Sequence, residues 1–174
     1  MPSDPFYQIN GAPLGILDVA TPFILVALFY GALRDRRSVQ FHARYMLATS
    51  LTLVEPIAER ILGHLVPPFT SFGMDQFIWI LRAAEVAGLL AALWLYALSP
   101  KYGRPFLIVA IAMIIQAVLV ETLGMTSAWH ALFVELGTLS TLPVLAAATA
   151  VGALTDWMGW TAGPASRKLK AATT

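Results

Sequence analysis

Apolar residues run in five long stretches along this chain, at 16–33, 41–66, 76–98, 106–123 and 129–154. Each is close to the roughly 20 residues that a helix needs to cross a hydrocarbon core about 30 Å thick. The breaks between them carry the chemistry of turns. Arg34-Asp35-Arg36-Arg37 is too charged to lie in lipid. Pro67-Pro68 stops a helix, because proline lacks an amide hydrogen and its ring collides with the preceding turn. Ser99-Pro100-Lys101-Tyr102-Gly103-Arg104-Pro105 reads as a polar loop, and Gly124-Met125-Thr126-Ser127 as a short link. Lipid-exposed strands are ruled out, since their edge amides find no partner in hydrocarbon. The pattern predicts an all-α, polytopic membrane helix bundle with five transmembrane helices. It forms a single transmembrane domain over 1–174, with 155–174 as an interfacial or flexible cytoplasmic tail. Residues 1–13 lack a basic start and an apolar run, so no cleavable leader is expected.

Composition agrees with this picture. The chain is 58% hydrophobic and only 12% charged, with a mean hydropathy of +0.72. A water-soluble surface averages about 25% charged residues, so this one suits lipid. There is no cysteine, which excludes disulfides, thiolate metal sites and cysteine nucleophiles. Lys and Arg fix an orientation, because cytoplasmic loops carry their excess. Arg34, Arg36, Arg37, Arg44, Lys101, Arg104, Arg167, Lys168 and Lys170 all fall on one side, and only Arg60 and Arg82 toward the other. The N-terminus is therefore expected outside and the C-terminus inside, as an odd number of crossings requires. Topology accounts for the basic residues, so nucleic acid is not an expected partner. The lipid bilayer is one, and a larger membrane complex or a homo-oligomer is another. Phe41-His42-Ala43-Arg44-Tyr45-Met46, followed by Pro56 and Arg60, resembles the start of a helix in small bacterial multi-pass proteins. The resemblance implies a bacterial inner membrane and carries no activity with it.

Helical rise places the ionisable residues in the outer half. At about 1.5 Å per residue, Glu55 lies roughly 21 Å above the inner end of its span, with Glu59 and Arg60 about a turn higher. On the same scale Arg82 and Glu85 lie roughly 9 and 14 Å below the outer surface, Glu121 roughly 7 Å and Glu135 roughly 9 Å, with Gln116 near the midplane. Asp18 sits near the outer end of the first span, and His64 and His130 near the outer surface. Charge at membrane depth costs about 2.5–3.5 kcal/mol on insertion scales, so such groups face a protein interior or a watered cavity. Asp18, Glu55, Glu59, Glu85, Glu121 and Glu135 outnumber Arg60 and Arg82. That excess must be relieved by protons, by water or by a bound cation.

Spacing suggests how these residues share faces. Thr52, Glu55 and Glu59 form one stripe, and Arg82 and Glu85, three apart, are placed to pair. Gln116 and Glu121, five apart, diverge by about 140°, so one of them points elsewhere. Ala84, Gly88 and Ala92 form a small-residue ridge for a close helix neighbour. Pro22, Pro56 and Pro143 are expected to kink their helices.

The expected ligand-binding set is Glu55, Glu59, Arg60, Arg82, Glu85, Gln116, Glu121 and Glu135 in one outward-facing pocket. It would bind a cation, a metal or a small polar ligand. A divalent metal would use Glu55, Glu85, Glu121, His130 and Glu135, as carboxylate-rich bundles do, although the usual Glu-x-x-His pair is missing. Haem fits less well, since only His64 and His130 share a level. A metal- or haem-dependent membrane enzyme is one alternative. The bland alternative is a non-catalytic accessory or assembly subunit whose buried charges hold helices in register.

Overall fold

The computed structural model describes residues 5–171, with side chains described through Gly163. The described chain is 88% helix and has no strand. Seven α-helices follow in order: α1 Pro5–Arg34, α2 Val39–Leu51, α3 Val54–Leu65, α4 Phe77–Leu98, α5 Arg104–Leu119, α6 Ser127–Leu136 and α7 Thr141–Ala171. A π-helical turn, Val120–Gly124, extends α5. Four helical segments are long and apolar enough to cross a membrane: Pro5–Arg34, Met74–Leu98, Arg104–Gly124 and Thr141–Gly163. They mark the chain as a membrane protein. Its outer surface bears this out, with Leu90, Trp94, Ile111, Ile115 and Val118 all exposed.

Three expectations need correction. The first helix starts at Pro5, well before residue 16. Proline is tolerated in a first turn, where its missing donor would be unpaired anyway. The second stretch is two helices of 13 and 12 residues, roughly 20 and 18 Å long, each too short to cross alone. Pro56 explains the break. It cannot donate to the Thr52 carbonyl four residues back, and its ring crowds that carbonyl. The chain tightens there, with Leu53 N donating to Ser50 O at 3.1 Å and Thr52 Oγ1 to Thr49 O at 2.7 Å. The fifth stretch breaks in the same way. Pro143 lies in the first turn of α7, and the chain four residues earlier, at Leu139, is out of helix. Beyond residue 154, α7 continues as helix to Ala171. The side chains of Arg167, Lys168 and Lys170 lie outside the described residues.

The bundle has two distinct ends. At one, the Asn10 side-chain amide donates to Met74 O at 2.9 Å, and Trp129 Nε1 donates to Ala12 O at 2.6 Å. At the other, Arg44 donates to Ser99 Oγ at 3.0 Å and Arg36 to Trp160 O at 2.9 Å. Arg34, Arg36, Arg37, Arg44, Lys101 and Arg104 all belong to this second, basic end. The main core, between α1, α2, α4 and α5, gathers Leu28, Tyr45, Ala92, Phe106, Val109 and Met113. Close approaches seal it. Gly31 lets the buried Tyr45 ring lie on α1, where a Cβ would overlap the ring. The expected ridge is real: Ala84, Gly88 and Ala92 are buried, and Met113 of α5 lies over Gly88.

Candidate functional site

A cavity of about 520 Å³ opens between α1 and α3 toward the first end of the bundle. Its polar lining comes from two stripes. On α1, Leu14, Leu17, Asp18, Thr21 and Leu25 recur at helical spacing. On α3 and the break before it, Thr52, Glu55, Glu59 and Arg60 do the same. Phe6 and Tyr7 of the first turn and Phe133 of α6 add aromatic walls. Phe133 reaches the cavity because Gly11 and Gly15 remove side chains from the α1 face it packs on. Three carboxylates thus meet one guanidinium in a single hollow.

Glu55 stands at its floor. It also lines a second space of about 10 Å³, the size of roughly one water, with Thr21, Thr52, Met113 and Gln116. Gln116 is buried, and its side-chain amide donates to Thr21 Oγ1 at 3.3 Å. Glu55 feels the charges of Glu85, Glu59 and Asp18 together. The break at Thr52 matters here. It lets α3 present Glu55 and Glu59 to α1, while α2 turns Tyr45 and Ala48 into the apolar core.

Other expected members lie elsewhere. Arg82 does not pair with Glu85. It forms a two-pronged ion pair with Glu121 across α4 and α5, with Nε to Oε1 at 2.6 Å and Nη2 to Oε2 at 2.7 Å. The Trp79 ring lies 4.6 Å from the same guanidinium. Arg82 and Glu121 are well exposed, at 36% and 47% of their side chains, on the outside of the bundle. The expected divergence on α5 holds: Gln116 points inward and Glu121, in the π-helical turn, points out. Glu85 is buried at 8% exposure, and its Oε1 has no hydrogen-bond partner. It feels the charges of Glu55, Glu121 and Arg82, without lining the hollow.

Glu135 and His130 are exposed on α6, and neither lines the hollow. The expected metal ligands Glu55, Glu85, Glu121, His130 and Glu135 therefore do not converge. Among the described residues no group of three or more His, Cys, Asp or Glu side chains is placed to hold a metal ion. Of the expected set, Glu55, Glu59 and Arg60 line the hollow; Thr21, Tyr7 and Phe133 line it as well and were not in that set. The i, i+3, i+4, i+7 recurrence of Leu14, Leu17, Asp18, Thr21 on α1 was the available signal for the first of these.

Comparison with family models, with curated proteins and with solved structures gives no match. The fold and the hollow must therefore carry the functional reading.

Proposed function

We propose that the chain crosses a membrane five times, N-terminus outside and C-terminus inside, and that the α1–α3 hollow binds a small organic cation from the outer face. Together α2 and α3 make the remaining crossing beside the four continuous ones. The basic end, facing the cytoplasm, supports the orientation. The hollow then lies in the outer half.

One observation carries the ligand class: Asp18, Glu55 and Glu59 share a cavity in which Arg60 is the sole basic lining residue among the described residues. Ionised together, these side chains leave a negative excess that a bound cation neutralises. A volume of about 520 Å³ falls in the range of small-molecule sites and far exceeds a metal ion. Phe6, Tyr7 and Phe133 add aromatic rings to the lining, and a ring whose face meets an ammonium group attracts it by roughly 0.5–2 kcal/mol. Calorimetric titration with benzyltrimethylammonium and its uncharged tert-butyl analogue tests this. The cation should bind, the neutral analogue should bind at least about tenfold more weakly, and Glu55→Gln should cost a similar factor, the worth of one charge-assisted contact. Equal affinity for both probes, or an unchanged Glu55→Gln variant, would rule the reading out.

A second reading, an accessory subunit of a membrane complex or a homo-oligomer, is favoured by a different observation. The Arg82–Glu121 pair faces outward, and α7 is almost wholly exposed between Thr141 and Gly163. Because the chain has no cysteine, a single cysteine at Trp79 or Leu145 reports proximity by crosslinking. Crosslinked species in native membranes support association, and their absence at both positions opposes it.

A further inference from the structure

A second cavity, about 720 Å³, lies away from the acidic hollow, at the basic end between α1, α2 and α7. Phe29, Ala32 and Leu33 of α1 form its floor, Met46 of α2 and Ala153 and Trp157 of α7 its apolar sides. Its polar groups are few and specific. Asp156 projects from α7. His42 faces the Ala32 carbonyl through Nδ1 at 2.9 Å, so in the neutral ring Nδ1 carries the proton and Nε2 is an acceptor. Beside Leu33 and Trp160, which line the groove, Arg36 donates to Trp160 O at 2.9 Å and to Leu33 O at 3.0 Å, and its guanidinium lies 4.0 Å from the centre of the Trp160 ring.

We propose that this groove is a binding site for a phospholipid with a primary ammonium head, of the phosphatidylethanolamine class. The complementarity is threefold. An acyl chain fits the apolar trough of Phe29, Met46 and Ala153, which lies on the surface of a membrane protein. The ammonium meets two acceptors, the Asp156 carboxylate and His42 Nε2. The phosphate meets Arg36, beside Trp160, one helical turn or about 6 Å along α7 from Asp156. A purely anionic lipid would match Arg36 and be repelled by Asp156. A trimethylated head would match the charge of Asp156 but offer no N–H to either acceptor. This site is independent of the acidic hollow, sharing no lining residue with it.

Native mass spectrometry of the full chain tests the assignment, after exchange into detergent with phosphatidylethanolamine, phosphatidylcholine or phosphatidylglycerol of identical acyl chains. The ethanolamine lipid should be retained about tenfold over each of the others, the worth of one charge-assisted hydrogen bond. Asp156→Asn should abolish its advantage over phosphatidylglycerol. Ala153→Trp should reduce retention of all three by filling the trough. Both positions are exposed, so neither change disturbs the core, and helical circular dichroism verifies the fold. Equal retention of the three lipids, a preference for phosphatidylglycerol, or a preference untouched by Asp156→Asn would overturn the proposal.

Discussion

Glu85→Met should stabilise the bundle, although it removes a charge-bearing side chain from a helix core. Glu85 Oε1 is buried without a hydrogen-bond partner. Leaving such a group unpaired costs about 1–3 kcal/mol. The other contributions nearly cancel. Met and Glu have almost equal helix propensities. Met is unbranched and adaptable, so it follows the same path between Leu81, Ala84 and Gly88 without strain. The attraction lost to Arg82 is small, because Arg82 is already engaged by both oxygens of Glu121. Repulsion from Glu55 and Glu121 is relieved in return. The net expectation is a gain of about 1–3 kcal/mol. Reversible unfolding in mixed detergent and dodecyl sulfate micelles, followed by circular dichroism, reads it directly. A loss of about 1 kcal/mol or more would refute the reasoning, since it would mean that Glu85 holds a stabilising partner. Ammonium binding should persist in this variant, because Glu85 does not line the hollow.

Other perturbations probe the supports of the site. Gly31→Ala places a methyl against the Tyr45 ring; overpacking of about 1–3 kcal/mol outweighs the roughly 0.5–1 kcal/mol helix gain, and the unfolding midpoint should fall. Trp129→Phe removes the buried bond to Ala12 O and should lower stability by about 0.5–1.5 kcal/mol in the same assay. Thr126→Ala removes the cap that accepts from Trp129 N at 3.2 Å, at a cost of about 1 kcal/mol. A double-mutant cycle on Arg82→Gln and Glu121→Gln should return a coupling of only about 0.2–1 kcal/mol in detergent, as exposed pairs do.

The helical class was legible because hydropathy over 20 residues is a strong signal and lipid permits no open sheet. The helix breaks were half legible. Pro56 and Pro143 marked where the chain would bend, but not that it would separate α2 from α3 and α6 from α7. Whether a proline kinks a helix or breaks it outright is not set by the pattern of apolar positions. Depth brought Glu55, Arg82, Glu121 and Glu135 to one level, yet depth is a single coordinate. The rotation of each helix about its axis decided the rest. It turned Glu55 and Glu59 toward α1, and Arg82 and Glu121 toward the outside. Glu135 fell on the exposed face of α6 for the same reason. Asp18 entered the hollow with them because α1 faces α3 across it, a placement that no spacing within one helix reveals.

Anomalous scattering from crystals of the protein soaked with 4-bromobenzyltrimethylammonium bears most directly on ligand binding by the α1–α3 hollow. A bromine peak is expected between those helices, with the ammonium near the Glu55 carboxylate and within about 6 Å of the Phe6, Tyr7 or Phe133 ring. A peak confined to the groove of Phe29, Asp156 and Trp160, or none above background at saturating ligand, would contradict it.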